Sequence, residues 1–255
     1  MGNLNQEELQ NFISEEVIKP FYGKRLSKLD SLTLDVILKR KNPYLFKAKN
    51  IQTAEELVRY ILDAFLSSQE ETIFGNLMEG LVIFVSERMY GGHKAEPGKY
   101  KSIDLIFTKE NVTHIVSIKS GPFWGNKDQI DRMKNNFRKA RNILLQDGIK
   151  GKIIAVNGCI YGKDNSPHKV DRDPSKSYYK FCGQEFWSLI SGDEDFYQKI
   201  IVPIDQEAKK RDENFRKMYS AKLNELTKIV LDNYLGEDGL IDWRKIIDYV
   251  SKKAR

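Results

Sequence analysis

The sequence predicts an α/β protein in which a mixed β-sheet is flanked by helices. Residues 102–119 form two short runs of apolar and β-branched residues, typical of an antiparallel hairpin. An amphipathic stretch up to Gln146 precedes an apolar run at 152–157, which predicts a crossover back into the sheet. Helical periodicity dominates both ends of the chain, so we expect helical segments at 1–68 and 201–255 around a core at 69–200, together one compact domain.

The N-terminal segment predicts three helices. Residues 6–19 and 24–40 have apolar positions at helical spacing. Lys41 to Tyr44 interrupts this pattern, because a residue before proline is pushed out of the helical region. A capping box at Thr53 to Glu56 then predicts a helix to about Leu66.

The next predicted helix, at about 70–89, is apolar on nearly all sides and is therefore expected to be buried. Glu79 is its only charge between Glu71 and Glu87. A carboxylate in an apolar interior needs a partner or a metal, because an isolated buried charge is very costly. The alternative is that Glu79 lies at a hydrated edge or pairs with an arginine.

The hairpin is the most informative stretch, after a weakly indicated first strand near 90–98. We predict its strands at 102–108 and 112–119, joined by the three residues Lys109 to Asn111. Because side chains alternate along a strand, Asp104 shares a face with Ile106, and Ser117 shares one with Lys119. If these faces coincide, a carboxylate and an ammonium meet at one edge of the sheet.

The residues after the hairpin carry much of the positive charge. A Gly- and Pro-rich loop at 120–126 leads into a helix with one apolar stripe, and six basic residues lie between Lys127 and Arg141. Five of the eleven residues from Lys39 to Lys49 are also basic, and the net charge is +6. Such local fields suit a phosphate backbone, although a helix face rich in charge is often only solvated.

Other classes of protein find little support in the sequence. No apolar stretch is long enough to span a membrane and the first residues do not resemble a signal peptide, so we expect a cytoplasmic protein. Cys159 and Cys182 are too few for a zinc site, and we expect them to be structural. The three histidines are scattered, and we assign none a catalytic role.

The spacing of Asp104 and Lys119, which are separated by fourteen residues, resembles the PD-(D/E)xK nuclease signature. Ile103 stands in place of its proline and Ser117 in place of its second acid. The resemblance implies a restriction-endonuclease-like αβββαβ core and Mg²⁺, which prefers carboxylate oxygens and water. Asp104 would be the central ligand, and Lys119 would act on the attacking water and the scissile phosphate. Ser117 cannot bind Mg²⁺ strongly, so the resemblance implies a second carboxylate from Glu79 or, as a weaker alternative, from the following helix at Asp128 or Asp131.

Four longer stretches extend the resemblance over most of the chain: KRKNPYLFKAKNI, SSQEETIFGNLMEGLVIFV, VSIKSGPFWGN and CGQEFWSLISGDEDFY. They are similar to type II restriction endonucleases of the PmeII type, akin to enzymes that cut GGNCC-like sites. This implies cleavage of double-stranded DNA at a short palindromic site by a homodimer, with the C-terminal helices as the candidate interface. A junction-resolving or repair nuclease of the same superfamily and a non-catalytic DNA-binding protein remain alternatives.

On this interpretation the DNA contacts come from the basic run and from the residues after Lys119. Backbone groups and lysines would hold phosphates, and arginine and asparagine suit guanine and adenine edges. Trp124 would stack or wedge against bases, with a place in the core or a dimer interface as the alternative. The candidate DNA-binding residues are Lys41, Asn42, Lys47, Lys49, Ser120, Gly121, Trp124, Asn126, Lys127, Arg132, Asn135 and Arg138.

Overall fold

The structure is a computed structural model that describes Gly2 and residues 4–253. The chain divides into two compact units. One comprises residues 1–18 and 75–206, and the other comprises residues 19–74 and 207–255.

The first unit contains the sheet. Within the described residues the strands are β1 (His93–Lys94), β2 (Leu105–Lys109), β3 (Val112–Lys119), β4 (Lys152–Cys159), β5 (His168–Lys169) and β6 (Tyr178–Cys182), in the order β1-β2-β3-β4-β6-β5. β1, β2 and β3 pair antiparallel, β3, β4 and β6 pair parallel, and β5 pairs antiparallel with β6. The sheet is therefore mixed, and the predicted α/β class is confirmed.

The turn of the hairpin is shorter than predicted. β2 and β3 are joined by two residues, Glu110 and Asn111, rather than by the three residues from Lys109. Both have positive φ angles, 51° and 62°. This is the conformation of a type I′ turn, whose twist matches that of the flanking strands. The first predicted strand, near 90–98, is only the two residues of β1.

One face of the sheet packs against α6 (Lys127–Gln146), which connects β3 to β4 as the predicted crossover. The apolar stripe of α6 supplies Met133, Phe137, Ala140 and Leu144 to a core that also contains Ile115 and Ala155 from the strands. Burial of this stripe leaves the polar strip of the helix on the outside.

The opposite face carries a stack of rings that ends at α5 (Ala54–Tyr90). Phe107 on β2 stacks on Tyr90 of α5 and on His114 of β3, with ring centroids 5.5 and 4.6 Å apart. Farther along the sheet, Gly158 lies under the ring of Phe186 in α7 (Gln184–Ser191). The order α5, β1, β2, β3, α6, β4 is the expected αβββαβ arrangement.

The N-terminal helices differ in detail from the prediction. They are α1 (Gln6–Phe12), a π-helix at Ile13–Ile18, α2 (Lys19–Asp30), α3 (Leu34–Leu38) and α4 (Pro43–Ala48). The stretch 24–40 is thus broken by a turn at 31–33, where Thr33 caps α3. α5 is a single helix, whereas the sequence predicted two. Ser68 lies inside it, and its hydroxyl donates to the carbonyl oxygen of Ala64 at 3.0 Å.

The C-terminal part is helical as predicted, with α8 (Phe196–Lys199), α9 (Ile201–Asn233) and α10 (Trp243–Ser251). α9 and α10 are separated by a short non-helical stretch that contains Gly236 and Gly239. In the second unit, the guanidinium of Arg25 bonds Glu70 at 2.7 Å and lies 3.6 Å from the ring centroid of Phe215.

Candidate active site at the end of the hairpin

The strand register places the predicted acid and lysine on one face. Leu105 is opposite Val116, and the amide of Asp104 donates to the carbonyl oxygen of Val116 at 2.8 Å. This pairing extends the ladder so that Asp104 lies opposite Ser117. Because alternate residues share a face, Asp104, Ser117 and Lys119 all point to the side covered by α6.

Asp104 and Lys119 approach each other through the backbone of Ile118. The Asp104 Oδ2 accepts a hydrogen bond from the Ile118 amide at 2.7 Å, and the Lys119 Nζ donates to the Ile118 carbonyl oxygen at 2.8 Å. Nζ lies 4.0 Å from Oδ2. Both side chains are about three-quarters buried, with exposed fractions of 27% for the lysine and 22% for the aspartate, so they remain accessible to a phosphate from one side.

A tryptophan and an asparagine support this pair. The ring centroid of Trp124 lies 5.3 Å from the Lys119 Nζ, which permits a cation–π interaction. The Trp124 indole donates to the Asn157 Oδ1 at 3.0 Å, and the Asn157 Nδ2 donates to the carbonyl oxygen of Ser117 at 3.3 Å. Asn157 on β4 is 1% exposed, so both ends of its amide are satisfied in the interior.

Asn157 is a candidate site residue that the sequence analysis missed. It is the last residue of the apolar run at 152–157, which was interpreted only as a buried strand and which lies in β4, KIIAVNGC. A side-chain amide in such a run needs partners because burying it unpaired is costly. That polar interruption was the available signal.

Ser117 occupies the place of the second acid in the signature. It is 1% exposed, and its Oγ has no hydrogen-bond partner among the residues that the structure describes. A hydroxyl there contributes no charge, so any second carboxylate must come from another element.

Glu79 is the candidate on α5. Gly75, one turn earlier on the same helix face, lies so close to Ser120 that an added Cβ would come within 2.6 Å of the Ser120 Oγ. This contact brings α5 beside the end of β3. Glu79 is about one-quarter exposed, and its Oε1 lies 3.5 Å from the Nζ of Lys94, whose own side chain is 63% exposed. The partner of Glu79 is thus a lysine rather than the arginine considered from the sequence, and the ion pair is long and hydrated enough to exchange readily.

The alternative acids lie on α6. Asp128, in its first turn, and Asp131 are both exposed, and Asp131 pairs with Lys134 at 3.8 Å. In the part of the chain that the structure describes, no cluster of three or more acidic, histidine or cysteine side chains forms a metal site. Asp128 therefore does not join Asp104 and Glu79 in one cluster.

The donor set at Asp104 nevertheless suits a hard divalent cation. The Asp104 Oδ1 has no hydrogen bond to the described residues, and the Ile118 carbonyl oxygen faces the same space through its bond to Lys119. Mg²⁺ commonly uses one or two carboxylates and keeps several waters. Asp104, Glu79 and the Ile118 carbonyl are residues that could hold such an ion.

Two buried thiols lie beneath the lysine. Cys159 is opposite Lys119 in the register of β3 and β4, and Cys182 is opposite Cys159 in the register of β4 and β6. Burial raises the pKa of Cys159 to about 12, so its thiol stays protonated. This agrees with a structural role for the two cysteines, although they are neighbours in space.

The candidate DNA-binding residues near the site fall into two groups. Lys127 and Arg132 are exposed on α6. Others are already engaged: Asn126 caps α6 through a capping box with Gln129, and Arg138 lies 3.9 Å from Asp173.

The loop before α6 holds two further candidates. Ser120 is exposed, and Gly121 is buried against the ring of Tyr161. An added Cβ at Gly121 would lie 2.5 Å from that ring, so glycine is required for this close approach. Asn135 on α6 is half-buried.

The basic run at 39–49 belongs to the second unit, and several of its side chains have intramolecular roles. The Lys41 Nζ donates to the carbonyl oxygen of Ala64 at 2.6 Å, and Asn42 caps α4. Lys47 lies 5.9 Å from the ring centroid of Trp243, and Lys49 lies 5.0 Å from that of Tyr60. Their ammonium groups are thus held over aromatic rings.

Comparison with known proteins identifies the family. Residues 7–212 match the sequence model of the family described as "Type II restriction endonuclease EcoO109I". The chain belongs to this family. It is accordingly a nuclease, a hydrolase that acts on double-stranded DNA in a restriction-modification system, and the matched region contains the entire αβββαβ arrangement.

A comparison with curated proteins found no significant match. Among the described helices, none is both long and apolar enough to cross a membrane.

Proposed function

We propose that this restriction endonuclease belongs to the PD-(D/E)xK type and that Asp104 and Lys119 carry its chemistry. The enzyme cuts double-stranded DNA at a short palindromic site, with Mg²⁺ as cofactor. The observation that carries the proposal is the convergence of the Asp104 carboxylate and the Lys119 ammonium, 4.0 Å apart, at one edge of the sheet. Because the chain belongs to a restriction endonuclease family, a phosphodiester of DNA is the substrate on which this pair would act.

Asp104 and Glu79 hold the metal in this proposal, with the carbonyl oxygen of Ile118 as a third protein ligand. At this site the ion would supply polarisation of the phosphate and a lowered pKa of the attacking water. Glu79 is favoured over Asp128 because α5 reaches the end of β3 through Gly75, whereas Asp128 lies exposed at the start of α6.

Lys119 orients the attacking water and offsets the negative charge that develops on the phosphate. Its ammonium is held by the Ile118 carbonyl and by the face of Trp124, so two contacts limit its rotamers. A donor that is already positioned needs little reorganisation during the reaction, which is the main advantage of such a site. Ser117 serves this arrangement through its backbone, which accepts the hydrogen bond from Asn157.

DNA runs along the loop after Lys119 and the exposed strip of α6. Ser120, Gly121, Asn126 and Lys127 contact phosphates, and the exposed Arg132 approaches base edges. The remaining candidates contribute to this surface or to the basic run of the second unit: Lys41, Asn42, Lys47, Lys49, Trp124, Asn135 and Arg138. We assign a GGNCC-like sequence to the recognition site from the resemblance to PmeII-type enzymes.

The enzyme acts in the cytoplasm. It acts there as a homodimer, because a two-fold symmetric DNA site calls for a two-fold symmetric protein. The C-terminal helices form the proposed interface. Sedimentation of the purified chain tests this, since a monomer at micromolar concentration, both free and on DNA, would contradict it.

Digestion of plasmid DNA of known sequence, with and without Mg²⁺, tests the proposed function. We expect discrete fragments whose sequenced ends share one GGNCC-like motif, and no cleavage after chelation of the metal. Nicking confined to junctions or damaged sites would instead assign the chain to a junction-resolving or repair role. Salt-sensitive DNA binding without any cleavage would identify a non-catalytic DNA-binding protein.

The metal ligand is tested by paired substitutions. Glu79→Gln removes a proposed ligand charge, so we expect it to raise the Mg²⁺ concentration needed for half-maximal cleavage. Asp128→Asn, the matched control, should leave that concentration unchanged. The opposite outcome would assign the second carboxylate to the helix after the hairpin.

A further inference from the structure

The loop that follows Lys119 presents one aromatic side chain entirely to solvent. Phe123 is 98% exposed, the highest value among the large hydrophobic residues that the structure describes as exposed. Leaving a phenylalanine ring in water is unfavourable, so an exposed ring beside a functional site calls for an explanation.

The residues on both sides of Phe123 are anchored. The carbonyl oxygen of Pro122 accepts a hydrogen bond from the Lys180 Nζ at 2.9 Å, and the Pro122 ring packs against Gly162. On the other side, the Trp124 indole is bonded to the buried Asn157. Phe123 is therefore held outward between two fixed neighbours, and its exposure is a property of the folded loop.

The position of the loop determines what the ring can meet. Phe123 follows Lys119 by four residues, so their Cα atoms are at most about 14 Å apart. Its neighbour Trp124 already has its ring within 5.3 Å of the Lys119 Nζ. Base pairs follow one another every ~3.4 Å along a strand, so a phosphate at Lys119 brings several base steps within reach of the ring.

We propose that Phe123 inserts its ring between neighbouring base pairs next to the scissile phosphate. The inference rests on the proposed function in one respect, namely that Lys119 lies at that phosphate. A neutral ring makes no ionic contact with a phosphate. Apolar side chains that enter a base step, in contrast, unstack the bases and kink the duplex. The ring thereby selects base steps that unstack easily, such as pyrimidine–purine steps, and adds to the specificity of the site.

Phe123→Ala removes the wedge and leaves the anchors of the loop in place. Because stacking of an aromatic side chain on a base is worth roughly 1–3 kcal/mol, we expect DNA affinity to fall about 5-fold to 150-fold. The slope of log affinity against log salt concentration should stay the same, because no phosphate contact is lost. Val170→Ala, which shortens another exposed apolar side chain (76% exposed), is the matched control and should bind DNA like the wild type.

The direct readout is the fluorescence of 2-aminopurine, which rises when the base is unstacked. The probe is placed in turn at each position around the cleaved bond of a duplex that carries the sequence found by digestion. Binding is measured without metal, so that no cleavage occurs. We expect the wild type to raise the fluorescence at one step beside the cleaved bond, Phe123→Tyr to retain the rise, and Phe123→Ala to lose it.

Four results would overturn the proposal. If the wild type cuts DNA but leaves the base stacked at every probe position, the wedge is overturned. The same holds if Phe123→Ala unstacks the probe base as well as the wild type does. Both results leave the proposed function intact. A Phe123→Ala variant that sediments as a smaller species than the wild type shows that the ring contacts a second copy of the chain instead. A wild type that binds no DNA overturns both the wedge and the proposed function.

Discussion

Loss of the hydrogen bond between Trp124 and Asn157 should slow cleavage, although it removes neither of the contacts that Lys119 itself makes. In Trp124→Phe an aromatic face remains under the ammonium, but the Asn157 Oδ1 loses the donor that lies 3.0 Å away. Asn157 is 1% exposed, so water does not readily replace that donor. A buried acceptor left unsatisfied costs about 1–3 kcal/mol, and we expect the free energy of unfolding to fall by about that amount.

The effect on catalysis follows from the same contacts. Asn157 holds the backbone of Ser117, two residues before the lysine, so its loosening misplaces the ammonium relative to the phosphate. We expect kcat to fall by roughly tenfold or more while KM changes little. Urea unfolding followed by circular dichroism gives the stability, and single-turnover cleavage at saturating DNA gives the rate.

Trp187→Phe is the matched control. Its indole donates to the carbonyl oxygen of Ile160, also at 3.0 Å, and the Trp187 side chain is 1% exposed. This variant should lose comparable stability and keep the wild-type kcat. The reasoning would be refuted if Trp124→Phe kept both stability and kcat, or if both variants lost kcat to the same extent.

Two further predictions concern the sheet around the site. Burial lowers the pKa of His114 to about 4. The unfolded chain takes up this proton near pH 6.5, so acidification between these two values destabilises the fold. The loss between pH 7 and pH 5 is about 2 kcal/mol in free energy of unfolding. Comparison of urea unfolding at the two pH values should show that His114→Phe removes this part of the slope, and an unchanged slope would contradict it. Gly158→Ala places a Cβ 2.1 Å from the Phe186 ring and should cost about 1–3 kcal/mol in free energy of unfolding. Gly80→Ala, in open space on α5, should instead stabilise by about 0.5–1 kcal/mol, and equal effects of the two would show that the packing at Phe186 is not tight.

Alternation along strands made much of the site predictable. Asp104 and Lys119 were expected on one face if the hairpin paired in register, and the pairing of Leu105 with Val116 provides that register. The turn was misjudged by one residue because Glu110 adopts a positive φ angle, which its residue type does not favour.

Contacts between distant elements were beyond the reach of local patterns. The bond from Trp124 to Asn157 joins a loop to a strand 33 residues later, and nothing in either stretch specifies the other. The approach of Gly75 to Ser120, which carries α5 to the hairpin, is likewise a consequence of packing. For α5 itself, the sequence predicted one helix that ends at about Leu66 and another at about 70–89, whereas the structure has one continuous helix across this gap.

The most direct test of the account is the cleavage rate of Lys119→Ala at saturating DNA. Lys101→Ala removes an exposed lysine from the segment that leads into β2 and serves as the control. We predict that Lys119→Ala lowers the rate at least about 100-fold, as expected for loss of a general acid–base group, while DNA affinity and the Lys101→Ala rate stay near those of the wild type. A Lys119→Ala enzyme that cuts DNA at the wild-type rate would contradict the assignment of the active site to the end of this hairpin.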